Sequence, residues 1–218
     1  MAQLFHPRAD TFARWTLIAI LVLPFLGFGL AYAMRMAPYS TDQGYTLEQP
    51  VPFSHKHHVG DLGIDCRYCH TGVETSRNAG LPPTSTCMTC HSQIWTNAKL
   101  LAPVRESLAH GTPIHWAKVH KLADYVYFDH SIHVAKGVPC SACHGPVHQM
   151  ALMNQNAPLT MGWCLDCHRN PGPRLAPRAE EYDTAWTPAS DPLEKARNYV
   201  AKYHVPVSHL TDCSVCHR

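Results

Sequence analysis

All ten cysteines of this 218-residue chain fall into five copies of one short pattern, C-x-x-C-H, and none is left over. The copies are Cys66/Cys69/His70, Cys87/Cys90/His91, Cys140/Cys143/His144, Cys164/Cys167/His168 and Cys213/Cys216/His217. Thiols at i and i+3 can add to the two vinyl groups of a porphyrin, while the imidazole that follows takes one axial face of its iron. An isolated copy could instead be half of a zinc site or a redox dithiol. Zinc sites of this kind pair two dithiol knuckles, which would strand the fifth copy and leave the other histidines without a role. The pattern therefore predicts five covalently held c-type haems. The ten cysteines are the attachment points, and His70, His91, His144, His168 and His217 are the proximal iron ligands.

Each iron needs a second axial ligand, and a repeated element offers them. Phe53 to His70 reads FSHKHHVGDLGIDCRYCH and Phe128 to His144 reads FDHSIHVAKGVPCSACH. Phe128, His130, His133 and Val134 align with Phe53, His55, His58 and Val59, with one residue fewer between the histidine pair and the cysteine pair in the second unit. Each unit is followed by a further attachment motif, so the chain reads as a duplicated two-haem module closed by a fifth motif. A histidine pair recurring at a fixed distance from a haem motif reads as a ligand pair. His55 is assigned to the first haem, His58 to the second, His130 to the third and His133 to the fourth. Seventeen histidines less the five proximal ones leave twelve, and repeat logic does not fix the fifth distal ligand among them. His110, His115, His120, His148, His204, His209 and several methionines are open, with His120 and Met161 favoured. His120 lies just ahead of the segment carrying the second pair. Met161 precedes Cys164 by three residues, and a thioether there would raise that haem's potential above a bis-imidazole one.

Hydrophobic residues make up 45% of the chain, and much of that share sits in the first forty positions. Beyond Pro38 the sequence is rich in Pro, His and Cys and poor in long aliphatic runs. Porphyrins are expected to supply the missing apolar interior, and haem loss to unfold it. A formal net charge of +2, without a Lys/Arg cluster, argues against nucleic acid as a partner.

From Trp15 to Met34 the chain runs twenty residues without a charge, enough to cross a bilayer as a helix. Arg8 and Arg14 before it favour a cytoplasmic amino terminus, although Arg35 follows it. Attachment of c-type haem outside the cytoplasmic membrane agrees with that orientation. Ala31-Tyr32-Ala33 resembles a signal-peptide cleavage site, but the apolar run exceeds the usual signal segment, and a retained single-pass anchor is expected. The predicted organisation is 1–36 as cytoplasmic terminus and transmembrane anchor, 37–52 as linker and 53–218 as a periplasmic pentahaem domain. Within it lie repeat one at 53–91, repeat two at 128–168 and a segment for the fifth haem at 191–218. Ser92 to Ala109 carries a helical apolar stripe interrupted by Pro103. Tyr125 to Phe128 is a strand signal. The run from Pro171 to Pro188 has no periodicity and is expected to wrap the surface or a partner. Asp191-Pro192-Leu193-Glu194 reads as a helix start, with Leu193, Ala196, Val200 and Tyr203 on one face.

No motif departs from C-x-x-C-H, so the lysine-ligated catalytic haem of pentahaem nitrite reductases has no counterpart, and no residue reads as catalytic. The blocks FDHSIHVAKGVPCSACHGPVHQM, LTMGWCLDCHR and CSVCHR, with one amino-terminal span and five motifs, closely resemble the membrane-anchored pentahaem cytochrome c subunit of bacterial alternative complex III. Leu122-Ala123-Asp124 departs from the Leu-Pro-Asp of that pattern. The F-x-H-x-x-H pairs also resemble class III cytochromes of the c7 type, in which the first histidine serves the next haem along. The resemblance implies a multihaem cytochrome with little regular secondary structure, mainly short α-helices around haems. It implies an electron-conducting subunit of a quinol oxidoreductase in the bacterial cytoplasmic membrane. Its neighbours would be an iron-sulfur subunit, polytopic quinol-binding subunits and a monohaem cytochrome c. Electrons would pass to a periplasmic acceptor: a soluble cytochrome, a cupredoxin, a high-potential iron-sulfur protein or a terminal oxidase. Two other readings are a stand-alone quinol dehydrogenase of the NapC/NrfH kind and a haem enzyme with one five-coordinate iron. The first is disfavoured by the thirty-one residues between Met34 and Cys66.

Overall fold

Twenty-nine residues from Arg8 to Met36 form a single helix with Asp10 in its first turn and Arg35 in its last, the charge order that suits the helix dipole. This computed structural model describes residues 5–6, 8–187 and 193–217. No residue of the long helix is buried, and its 18-residue apolar window has a mean hydropathy of 2.3. At 1.5 Å per residue it is about 43 Å long, more than the ~30 Å hydrocarbon thickness of a bilayer. Among the described residues it is the one helix long and apolar enough to cross a membrane. After it, Pro38–Thr41 makes one further helical turn, ended by Asp42 in the left-handed region at φ 57°. These residues belong to the first of two compact units, Met1–Asp42 and Gln43–Arg218.

The second unit begins at Gln43 and so takes in most of the segment read as a linker, 37–52. Gln43 and Thr46 form isolated bridges with Gln155 and Asn154, the Gln49 amide exchanges hydrogen bonds of 3.0 and 2.9 Å with Ala117, and Val51 is buried at 4% exposure. Backbone pairing and apolar burial thus fix residues 43–52 to the body that follows them.

Short helices make up the second unit, and its described residues contain no strand. The apolar core is small: Val51, Leu101 and Val104 are buried together, with Cys87, Met88, Ala98, Ile114 and Trp116 packed around them. The helical stripe expected over Ser92 to Ala109 exists only in its second half. A 3-10 turn at Lys99–Leu101 leads into a helix at Ala102–His110, and Pro103 occupies the first turn instead of interrupting it. Proline is suited to that place because the amide it lacks would have no intrahelical partner. The strand expected at Tyr125 to Phe128 is a single bridge, Val126 to His217, with the Tyr127 amide donating to the Cys216 carbonyl at 2.8 Å. Only the last motif lies alongside to pair with it.

The proline-rich run after Pro171 is interior where a surface wrap was expected. Leu175 is 2% exposed, Ala176 0% and Trp186 8%, and Glu181 and Thr184 are also buried. Proline-fixed backbone with two 3-10 turns, Gly172–Arg174 and Arg178–Glu180, threads this segment through the unit at little conformational cost. The helix start at Asp191-Pro192 lies outside the described residues. The helix itself covers Leu193–Lys202 and leads to Tyr203, which is 6% exposed. The Tyr203 hydroxyl donates to the Ala176 carbonyl at 3.1 Å, and its ring fills the place where Gly137, at φ +80°, has no side chain.

Candidate haem centres

Each C-x-x-C pair sits on at least part of a helical turn, which carries side chains at i and i+3 to one face. The turns are Cys66–Cys69, the second half of Thr84–His91, Ser141–His144 with Cys140 at its cap, the middle of Met161–Arg169, and Cys213–Cys216. Two are capped by side chains: Asp65 accepts from the Arg67 amide, and Thr160 accepts from the Trp163 amide.

The two histidine pairs have closely matching surroundings. Phe53 lies 4.9 Å from the His55 ring, edge-on at 85°, and stacks on His58 at 4.3 Å. Phe128 lies 4.7 Å from His130 at 88° and stacks on His133 at 4.4 Å. Nδ1 of His58 donates to the Ser54 carbonyl at 2.8 Å, and Nδ1 of His133 to the Asp129 carbonyl at 2.6 Å. The backbones differ in one respect. His130–Ala135 is α-helical, whereas Lys56–Asp61 is a π-helix. The first unit has one residue more between histidines and cysteines, and a widened turn is how a helix absorbs an inserted residue.

Hydrogen bonding fixes which ring nitrogen each histidine can offer. A carbonyl only accepts, so an imidazole bonded to one through Nδ1 carries its proton there and leaves Nε2 as the free lone pair. Among the motif histidines, His70 donates to Gly80 at 2.7 Å, His91 to Ile94 at 3.4 Å, His168 to Leu210 at 2.7 Å and His217 to Tyr125 at 3.2 Å, all through Nδ1 to backbone carbonyls. His58, His130 and His133 do the same, with His130 donating to Arg77 at 2.8 Å. His144 differs, its Nδ1 lying 3.2 Å from Nε2 of His120. Nδ1 of His55 is buried and has no hydrogen-bond partner.

The rings of these histidines lie close together in pairs. His58 and His91 have ring centroids 6.2 Å apart, His130 and His144 6.4 Å apart with parallel rings, and His133 and His168 6.2 Å apart. A metal between two imidazoles, with metal–nitrogen bonds of about 2 Å on each side, separates the centroids by about 6 Å. His55 lies near His70: burial first, then the imidazoles of His70 and His58, push it down to about 4. Burial and the surrounding His120, His130, His70 and His55 push His144 down to about 3. These rings are therefore neutral at pH 7, the form that can donate a lone pair to a metal. The donor set, with its cysteine pairs on helical turns and its paired imidazoles, fits c-type haem.

The c7 resemblance implied that the first histidine of a pair serves the next haem along. Here the second histidine of each pair, His58 or His133, faces the later motif. Of the two residues favoured for the fifth distal position, His120 has its Nε2 3.2 Å from Nδ1 of His144, and Met161 is 63% exposed at the start of the helix carrying Cys164. Nδ1 of His148 is bonded to Thr184 and Nδ1 of His209 to Asp212. Sequence reasoning missed His120 as the partner of a motif histidine. It also missed the carbonyls of Arg77, Gly80, Ile94, Tyr125 and Leu210, which carry no side-chain signature.

Residues 31–112 match the sequence model of the Class III cytochrome C family, a stretch that holds the first histidine pair and the first two motifs. Over 98 residues the chain is 38% identical to the menaquinone reductase multiheme cytochrome c subunit of Nitratidesulfovibrio vulgaris. That alignment covers 44% of this chain and 46% of the relative, so the chain spans less than half the length of the curated relative it matches.

Proposed function

We propose that this chain is an electron-transfer subunit of a membrane quinol oxidoreductase, carrying five covalent c-type haems on a duplicated two-haem module and a fifth motif. The observation that carries the reading is the opposition of His58 to His91, His130 to His144 and His133 to His168 at 6.2–6.4 Å. A c-type haem, when bound, supplies a one-electron iron couple. The chain attaches each haem by its cysteine pair and presents Nε2 of the proximal histidine on one side. His55, His58, His130 and His133 close the other side at the first four sites. For the fifth, His120 and Met161 are the candidates, Met161 opening the helix that carries Cys164. With both axial faces taken, these sites relay electrons without binding substrate.

The helix Arg8–Met36 serves as a single-pass anchor in the bacterial cytoplasmic membrane, with the haem unit on the periplasmic side. The resemblance to alternative complex III supports an iron-sulfur subunit, polytopic quinol-binding subunits and a monohaem cytochrome c as neighbours, and a periplasmic carrier or terminal oxidase as acceptor. The name of the Nitratidesulfovibrio relative favours a second reading, with electrons running through the chain toward menaquinone. Purification in mild detergent, with mass analysis of the denatured chain and identification of what travels with it, tests the proposal. The expected mass is polypeptide plus five haems, with a polytopic membrane subunit in the same preparation. Four haems or fewer in an active preparation would overturn the assignment.

A further inference from the structure

The five motifs do not lie in space in the order in which the chain presents them. Motifs one and two adjoin: the hydroxyls of Tyr68 and Thr89, each lying between the cysteines of its own motif, are 2.9 Å apart. Motif three meets motif one. The Cys140 amide donates to the Glu181 carbonyl at 3.0 Å, and the Cys66 thiol approaches the Tyr182 carbonyl at 3.9 Å. One dipeptide, Glu181-Tyr182, thus carries a cysteine of each. A second strap joins the same two neighbourhoods. Both the amide and Nδ1 of His130 donate to the Arg77 carbonyl, at 3.2 and 2.8 Å, and the Ser131 amide donates to the Ser76 carbonyl at 3.2 Å.

Motifs three and four are linked through His130 and His133, three residues apart on one short helix and facing His144 and His168 respectively. Motif four meets motif five. Nδ1 of His168 donates to the Leu210 carbonyl at 2.7 Å, three residues ahead of Cys213. Exposure follows the same sequence of neighbours. Cys90 and Cys213 are exposed, and the other eight attachment cysteines are partly covered.

We infer that the motifs hold their haems in one series ordered second, first, third, fourth, fifth, so that the second and fifth are its ends and redox partners exchange electrons there. The two modules are then joined through their leading motifs rather than head to tail. This ordering rests on the haem reading above and adds to it which motifs are interior. Iron positions test it without recourse to activity. Electron cryomicroscopy of the holoprotein in its complex locates each iron and the cysteine pair that holds its porphyrin. The expected result is that the first and third irons are the nearest pair across the two modules, and that the second and fifth irons each have a single neighbour. A map in which the second and third irons are the nearest pair across the modules overturns the order and leaves the five-haem reading intact. Motifs found without porphyrin overturn both.

Discussion

An imidazole that donates Nδ1–H to a carbonyl is held in one orientation and has only Nε2 left to offer, so removing it cannot be compensated by a ring flip. His58, His130 and His133 are in that state. Replacing any one of them with alanine is expected to leave one haem with an open axial position and convert it from low spin to high spin, with the others unchanged. Electron paramagnetic resonance of the oxidised protein reads this directly. A variant that stays wholly low-spin, with no substitute ligand found, would show that the residue is not axial. Asp65 gives a second expectation at this scale. Its carboxylate accepts from the Arg67 amide at 2.8 Å and from the guanidinium at 2.9 and 2.8 Å. The Arg67 side chain is the main cause holding it below the ordinary 3.8. A carboxyl with a depressed folded pKa stabilises fully above its unfolded value and loses that contribution as pH falls through the folded one. Asp65→Ala should therefore cost about 1 kcal/mol at neutral pH, the usual worth of an N-cap. The difference in melting temperature from the parent should close in acid well below pH 3.8; a cost that persists there would rule out the carboxylate as its source.

Packing between elements gives a larger effect. Gly137 follows the helix that carries His130 and His133, and its positive φ and missing Cβ admit the Tyr203 ring. Lys136 Nζ donates to the carbonyls of Tyr203 and His204, both at 3.1 Å, and Arg178 donates to the Val134 carbonyl at 2.9 Å while pairing with the buried Glu181 at 2.7 Å. Gly137→Ala must force a left-handed residue and displace the ring, a cost of about 2–4 kcal/mol. Thermal unfolding should show it, and a variant as stable as the parent would mean that Tyr203 repacks freely. The five C-x-x-C-H motifs and the recurring histidine pairs stand out in the sequence because both are patterns of residue type at fixed spacing. The segment from Leu175 to Trp186 could not. Its burial comes from the neighbours it passes, Gly137, Cys140 and Cys66, and no periodicity marks a chain buried as irregular backbone. For the same reason Tyr125 to Phe128 had the residues of a strand and found only one bridge. The π-turn was half visible: the one-residue difference between the units could be counted, but how the backbone took it up is a matter of hydrogen bonding.

At the scale of the whole molecule, the question is where quinol chemistry takes place. A quinol site needs a concave, largely apolar pocket with a few polar groups aimed into it, at membrane depth. Among the described residues the one membrane-length element is a helix with no buried residue, and Trp15 at 67%, Phe25 at 79% and Phe28 at 77% are exposed on it. A single helix has no inner face to enclose a ring, so the groups that bind quinol and take its protons are expected on a partner packed against this one. Gly27 and Ala31, four residues apart on one side of the helix and with nothing within 4 Å of a Cβ built at Gly27, permit such close packing. The expected outcome is therefore a division of labour. The purified single chain should be reduced by dithionite, as covalent haems with both axial faces filled still exchange electrons with small reductants, yet it should not be reduced at a useful rate by a soluble quinol analogue. The intact complex should be reduced by the same analogue, and an inhibitor that competes with quinol should block it. Rapid, inhibitor-sensitive reduction of the isolated chain by the analogue would move the quinol site onto this subunit and make it a quinol dehydrogenase in its own right.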